Sequence, residues 1–414
     1  MRLLPEEENM LNGKYGYPVQ IAMEILLGLG ECFEAKKTIP VNSAHMLYST
    51  TALDKAGMIF VQELADKGAK FVIPAHTNPS CLGPWPWKDF GISDDVIQCQ
   101  MKIMDAFLKM GALLCCTCTP YQVGHVPRMG EHVAWSESSA IIFANSVLGA
   151  RTNREGGPSS LAAALTGRVP EYGYHLDENR NGGLKIIVTA KLKGFHDYGT
   201  LGYYTGKVAK DGVPVLVGLP LNTSWDKLKI LGGAMATAGS VALFHAIGIT
   251  PEAPDEATAF GNKIGNWPTF EFGEKELRET EDSLSQATTA NVDLVILGCP
   301  HTSIFEFENI SRLLSGKKVK PGVELWIITS QIIKTYAEKM GYLKAIEASG
   351  AKVICDSCPN HIARAFFNLK SSGSGVFATN SAKLPFYVPD GEDILAYYGS
   401  TEKCIEVATS GIWS

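Results

Sequence analysis

The residues best suited to chemistry are three cysteines that each follow a predicted β-strand: Cys118, Cys299 and Cys358. In parallel β-α folds ligands gather beyond the carboxyl ends of the strands. Three well-separated thiolates in such positions suit a [4Fe-4S] cluster in which one iron has no protein ligand. An open iron of this kind is a Lewis acid that can bind a hydroxyl and a carboxylate. The competing interpretation is that the cysteines are small hydrophobic residues scattered through the core.

A second pattern is the pair Cys355 and Cys358, which are separated by two residues. Pairs of this spacing occur in zinc sites and in thiol redox motifs. A zinc ribbon needs a second close pair, and Cys116-x-Cys118 is too tightly spaced to supply one. The pair therefore keeps a zinc or thiol-redox protein as an alternative, and it keeps Cys355 as an alternative to Cys358 in a cluster site.

The segment from Cys115 to Pro158 concentrates cysteines, histidines and other polar residues, among them Glu137 and Ser138. Structural cores do not usually gather so many polar groups, which favours a functional site. Both residues also open a helix predicted over 135–149. An N-terminal capping role therefore explains them equally well from the sequence alone.

The elements that position these residues alternate between strands and helices, which predicts parallel sheets covered by helices. In the first part of the chain we predict strands over 69–74 and 112–116, and a short strand in the segment IPVNSAH. The pattern changes near Lys185, where glycine-rich loops separate the strands, and regular β-α alternation returns near residue 286. The sequence thus predicts an α/β protein with three subdomains, at 1–184, 185–285 and 286–414.

Composition narrows the class of protein. A chain of 414 residues exceeds one ordinary core, and its 45% hydrophobic and 19% charged residues are typical of a soluble globular protein. The net charge of -6 gives no reason to expect nucleic acid as a partner. No apolar run has the length of a membrane span, and the N-terminus lacks the pattern of a signal peptide. We therefore expect a cytoplasmic protein whose ten cysteines are reduced and which binds neither nucleic acid nor membrane.

Several motifs together resemble one known family. The run TCTPYQVGHVPRMGEHVAWSESSAIIFANSVLGARTNREGGP and the later segments GCPHTS, DSC and TNSAK are similar, in this order, to the large subunit of the aconitase X family. The resemblance covers nearly the whole chain. It implies an aconitase-like fold, with three α/β domains around an iron–sulfur cluster. It also implies a hydro-lyase that dehydrates a small hydroxy-carboxylate, with phosphomevalonate and cis-3-hydroxy-L-proline as family substrates.

The resemblance also implies roles for individual residues. It assigns the cluster to Cys118, Cys299 and Cys358, and it assigns substrate binding to six residues: Ser49, Asn78, Pro79, Glu137, Ser138 and Lys383. A solvated surface position is the competing interpretation for Lys383. We expect three histidines to form hydrogen bonds near the cluster and not to ligate it, because three thiolates suffice: His125, His132 and His301.

Two departures from the family pattern affect the expected function. One lies in the substrate pocket, and the other is the absence of the catalytic base. Leu47 and Tyr48 stand where the phosphomevalonate enzymes carry a small Gly-Val pair. We expect the leucine and the tyrosine to alter the pocket, which argues against phosphomevalonate as the substrate, and the pair does not restore the hydroxyproline pattern either. Trp85 and Trp87 add an aromatic segment that we expect to line or cover the pocket.

The second departure concerns the catalytic base. The family supplies it as a serine of a small swivelling domain, and we find no room for that domain before Ser414. We therefore expect a separate small subunit that completes the active site, with no catalytic base in this chain. The alternative function is a non-catalytic metal- or cluster-binding subunit.

Overall fold

The computed structural model describes residues 1–81, 90–263, 265–371, 373–389 and 393–414. Trp85 and Trp87, which we expected at the pocket, lie outside these described residues. Among the described helices, none is long and apolar enough to cross a membrane.

The first part of the chain forms a small parallel sheet in the order β3-β2-β4. Its strands are β2 (Ala44–Met46), β3 (Ala75–Thr77) and β4 (Ala134–Trp135). A separate antiparallel pair joins β1 (Thr38–Pro40) and β5 (Arg168–Pro170). The surrounding helices are α1 (Pro5–Leu11), α2 (Tyr17–Cys32), α3 (Thr50–Asp66), α4 (Asp94–Met110), α5 (Ser138–Ser146) and α6 (Gly157–Thr166).

Three strand predictions in this part need correction. The segment IPVNSAH divides between β1 and β2, which belong to different sheets. The strand expected over 69–74 lies further along the chain, as β3. The strand expected over 112–116 is reduced to a single bridge between Leu113 and His76, because the chain leaves the sheet there and Cys116 adopts a positive φ of 46°.

The middle part forms a four-stranded parallel sheet in the order β8-β7-β6-β9. Its strands are β6 (Leu184–Val188), β7 (Pro214–Val217), β8 (His245–Ala246) and β9 (Thr269–Phe272). Its helices are α7 (Phe195–Ala209), α8 (Trp225–Ala238), α9 (Glu256–Ala259) and α10 (Glu274–Leu284).

The last part forms a five-stranded parallel sheet in the order β12-β11-β10-β13-β14. Its strands are β10 (Leu294–Leu297), β11 (Glu324–Thr329), β12 (Lys352–Cys355), β13 (Gly375–Thr379) and β14 (Ile394–Tyr398). Its helices are α11 (Ile304–Leu314), α12 (Gln331–Lys339), α13 (Leu343–Ser349), α14 (Pro359–Ser371), α15 (Leu384–Tyr387) and α16 (Thr401–Ser410). The strand order reverses between β10 and β13, and ligands bind at such a reversal in open α/β sheets. These sheets confirm the predicted α/β class with largely parallel strands.

A buried ion-pair network joins the middle part to the last part. Lys229 on α8 is 1% exposed, and its Nζ donates to Glu306 at the start of α11 and to the carbonyl oxygen of His301 at 3.1 Å. Asp226 lies 3.5 Å from the same ammonium and also accepts from Ser303 Oγ at 2.7 Å. Burial opposes the charged form of Lys229, but the two carboxylates outweigh it and raise the lysine pKa. The network therefore holds a charged lysine between two units of the fold.

Replacing this lysine should be severely destabilising. We expect Lys229→Met to lower the free energy of unfolding by about 3–5 kcal/mol, because it leaves two buried carboxylates without their cation. Denaturant-induced unfolding measures the loss, and Lys344→Met at an exposed position of α13 is the matched control. Equal stability of the two variants would contradict the charged network.

Candidate active site

One cavity of about 260 Å³ lies beyond the carboxyl ends of six strands: β2, β3, β4, β10, β12 and β13. All nine residues predicted for the site line it: Ser49, Asn78, Pro79, Cys118, Glu137, Ser138, Cys299, Cys358 and Lys383. Its lining residues follow strands of the β3-β2-β4 sheet and of the five-stranded sheet, so the carboxyl ends of these two sheets face each other. The structure therefore brings together residues that lie far apart in the sequence.

Backbone contacts hold Cys299 and Cys358 in place at the cavity. Cys299 follows Gly298, which has a φ of 100° and where an added Cβ would lie 2.3 Å from Ile328 O. Ser381 Oγ donates to the carbonyl oxygen of Cys299. The Cys358 main-chain N–H donates to Ser80 O at 2.9 Å, so the loop after β3 supports this cysteine.

The sulfur atoms lie in a setting that disfavours their ionised form. Burial raises the pKa of all three thiols, that of Cys358 to about 12, while the nearby Lys383 ammonium works in the opposite direction. At neutral pH these cysteines are therefore neutral thiols until a metal displaces their protons.

The three cysteine thiols fit an iron–sulfur cluster better than they fit a single metal ion. Within the described ranges, no three His, Cys, Asp or Glu side chains converge closely enough to hold one metal ion. An iron–sulfur cluster distributes its thiolate ligands over several irons, so its cysteines need only to surround a common cavity, as they do here. Cys355 is fully buried at the end of β12 and is not part of the cavity lining, so the structure places Cys358 at the cavity instead.

Glu137 combines the two roles that the sequence left open. It is the N-cap residue of α5, where its Oε1 accepts from the Ser139 N–H at 3.3 Å. Its Oε2 accepts from Asn78 Nδ2 at 3.1 Å. Burial opposes its ionisation, but the Lys383 charge and these hydrogen bonds outweigh burial and lower its pKa. Glu137 is therefore an ionised carboxylate that both caps the helix and faces the cavity.

Lys383 is a buried residue of the cavity wall, so the surface interpretation is wrong. It is 6% exposed, and its Nζ lies 2.5 Å from Ser139 Oγ and 3.7 Å from Glu137 Oε1. Burial opposes its charge, yet the lysine pKa is raised above the usual value, chiefly by the Glu137 carboxylate. The cavity thus presents a fixed ammonium that can bind a carboxylate or phosphate as a point charge.

The loop after β2 places only part of the unusual Leu47-Tyr48 pair at the cavity. Leu47 lines it, and its N–H donates to Ser136 Oγ at 3.0 Å. Tyr48 turns into the core, where it is 2% exposed, packs against Phe107 and lies 2.9 Å from Cys116 Sγ through its hydroxyl. The expectation that this tyrosine alters the pocket is therefore wrong, and only the leucine of the pair lines the cavity.

Sequence reasoning missed some of the lining residues. Thr51, Asn360, His361 and Tyr387 also face the cavity. His361 Nε2 lies 2.9 Å from Thr51 Oγ1, which joins the start of α14 to the start of α3. The signal for His361 is its place three residues after Cys358 at the beginning of a helix, whereas Thr51 carries no signal that distinguishes it from any other helix-opening threonine.

Comparison with known proteins gives family matches along most of the chain. Models described as the aconitase X first, second and third domains match residues 1–178, 183–282 and 292–410. A solved structure of Thermococcus kodakaraensis aconitase X in its holo-form superimposes with a TM-score of 0.87 at 38% identity. The match covers 99% of this chain and 100% of that one.

Curated relatives carry two enzyme names. The phosphomevalonate dehydratase large subunit of Methanothermobacter thermautotrophicus is 43% identical, over 92% of each chain. The protein of the same name from Methanocaldococcus jannaschii is 39% identical, over 98% of this chain and 100% of that one. The cis-3-hydroxy-L-proline dehydratase of Pseudomonas aeruginosa is 34% identical, over 99% of this chain and 70% of that one.

Proposed function

The chain belongs to the aconitase X family, as its motifs predicted, and from this premise we propose that it is the large subunit of an iron–sulfur hydro-lyase acting on a small hydroxy acid. We further propose three domains with boundaries near 184/185 and 285/286. A [4Fe-4S] cluster is held by Cys118, Cys299 and Cys358. The substrate is bound by Ser49, Asn78, Pro79, Glu137, Ser138 and Lys383.

The observation that carries this proposal is the shared cavity. Three cysteines and the Glu137–Lys383 ion pair line the same space. Dehydration of a hydroxy acid needs these two functions side by side, since one group must bind the departing hydroxyl and another must hold the acid. When bound, an iron–sulfur cluster with an open iron supplies the Lewis acid for that hydroxyl.

The protein's own residues hold the substrate in place. Glu137 and Ser139 fix the Lys383 ammonium, which binds the substrate's anionic group. Asn78 in turn holds the Glu137 carboxylate through its amide N–H. This arrangement fixes the orientation of the carbon that loses a proton and of its neighbour that loses the hydroxide, as the double bond forms between them.

A small subunit supplies the base that takes the proton. Several relatives are named large subunits, which supports a second chain as partner. The Pseudomonas dehydratase extends beyond the 70% that this chain matches, which supports a further domain within the single chain of that enzyme. We place the assembly in the cytoplasm, where reducing conditions keep the cysteines free.

Phosphomevalonate is the first candidate substrate, because relatives named for it are 34–43% identical and those named for hydroxyproline are 32–34% identical. Relatives named for cis-3-hydroxy-L-proline make that acid the second candidate. Leu47 at the cavity departs from the patterns of both named substrates, so it favours a related small hydroxy acid as a third candidate. A zinc or thiol-redox function of Cys355 and Cys358 has less support, because Cys355 lies away from the cavity.

An anaerobic assay of the reconstituted chain tests the proposal. We expect dehydration of phosphomevalonate when the small subunit is present, and no turnover by either chain alone, since neither contains the complete site. cis-3-Hydroxy-L-proline serves as the parallel substrate. Absence of bound iron and acid-labile sulfide after anaerobic reconstitution would contradict the cluster assignment.

A further inference from the structure

The imidazole of His301 lies between the segments that carry the cavity cysteines. Its Nδ1 is 3.0 Å from Thr117 Oγ1, and its Nε2 is 3.1 Å from Ser357 O. Thr117 directly precedes Cys118 and Ser357 directly precedes Cys358, while His301 itself follows Cys299 by two residues. The His301 ring is therefore within hydrogen-bonding distance of the residues that directly precede Cys118 and Cys358. His301 itself lies in the same segment as Cys299.

The main chain of His301 adds two further contacts. Its N–H donates to Cys118 Sγ at 3.4 Å, and its carbonyl oxygen accepts from Lys229 Nζ at 3.1 Å. Because a carbonyl oxygen only accepts, Nε2 carries the proton in the bond to Ser357. The residue is 1% exposed, so water does not compete for these bonds. Buried and hydrogen-bonded through both ring nitrogens and its main chain, His301 has little freedom to move.

The arrangement has a consequence for the spacing of the sulfur atoms. Cys118 lies in the first part of the fold, whereas Cys299 and Cys358 follow strands of the last sheet. Their relative positions therefore depend on contacts between two separately folded units. A planar ring with hydrogen-bonding nitrogens on opposite sides is a rigid spacer for such contacts.

We propose that His301 is a positioning residue that sets the mutual placement of Cys118, Cys299 and Cys358. The inference rests on the proposed function, in which these three cysteines hold the cluster. Partners that orient metal ligands without touching the metal typically change metal affinity about 10- to 100-fold when they are replaced. Hydrogen bonds to ligand sulfur atoms also set the reduction potential of a cluster, and the His301 N–H forms such a bond.

The test compares variants of the full chain after anaerobic reconstitution. His301→Ala removes the ring, Thr117→Val removes one hydrogen-bonding partner at nearly constant shape, and Thr117→Ser keeps the hydroxyl. Thr205→Val is the matched control, since Thr205 on α7 is also buried and its hydroxyl has no hydrogen-bonding partner. The measurements are the rate of iron release to an excess of chelator and the midpoint potential of the cluster.

We expect iron release to be about 10- to 100-fold faster in His301→Ala and Thr117→Val, and close to the wild-type rate in Thr117→Ser and Thr205→Val. The midpoint potential should fall in the first two variants, because the bond from the His301 N–H to sulfur lengthens. Wild-type release rates and potentials in Thr117→Val would overturn the inference even where His301→Ala does not fold. Failure of the wild-type chain to bind iron would instead overturn the proposed function.

Discussion

Replacing Cys118 with serine should remove nearly all bound iron and acid-labile sulfide and should lower the dehydration rate by about 10³-fold or more. A Lewis acid at the departing hydroxyl is worth several kcal/mol, and each ~1.4 kcal/mol of barrier corresponds to a tenfold change in rate. Cys299→Ser and Cys358→Ser should behave in the same way, because all three sulfurs line the cavity. Iron analysis, visible absorption and an anaerobic dehydration assay measure the effect.

The matched control is Cys355→Ser. Cys355 precedes Cys358 by three residues but is fully buried and is not part of the cavity lining. We expect this variant to keep its iron and most of its activity, although a buried hydroxyl can lower its stability. Loss of iron in Cys355→Ser together with retention in Cys358→Ser would reverse the assignment of the third ligand.

Lys383→Met should lower kcat/KM for an anionic substrate by about 30- to 3,000-fold while the iron content stays unchanged. Truncating one partner of a buried charge pair costs about 2–5 kcal/mol, and each ~1.4 kcal/mol is a factor of ten. The variant also leaves the Glu137 carboxylate buried without its cation, which makes the site repel an anion. Steady-state kinetics with the small subunit present measure the loss.

Two further variants separate the effect of the positive charge of Lys383 from the effect of its side-chain shape. Lys383→Arg keeps the positive charge in a bulkier side chain, so its kcat/KM should lie between those of Lys383→Met and the wild type. Lys344→Met removes a lysine from an exposed position of α13 and should leave the kinetics unchanged. If Lys383→Met were as active as Lys344→Met, Lys383 would have no part in binding the acid.

Much of the site was predictable because strand ends are visible in a sequence. Cys299 follows the apolar strand β10, and Lys383 follows β13 after a short polar turn. Parallel sheets concentrate ligands at these ends, so residue type and position together identified the candidates. The resemblance to the family then supported these cysteines and added substrate-binding residues, for example Ser49 and Pro79.

Elements that depend on distant partners were less predictable. The apolar residues over 112–116 have the composition of a strand, but only Leu113 finds a partner on β3. Tyr48 and Leu47 are adjacent in the chain, yet one enters the core and the other faces the cavity. Strand pairing and side-chain direction follow from packing against other elements, which local composition does not encode.

The sequence by itself determined the α/β class, the family and the set of residue types at the site, because these depend on local patterns and motifs. Only the tertiary structure decided that Lys383 is buried beside Glu137 and that His301 lies between the cysteine segments. These are contacts between residues far apart in the chain. Their existence depends on how separate sheets pack against one another, and each buried charge or nitrogen must find its partner there.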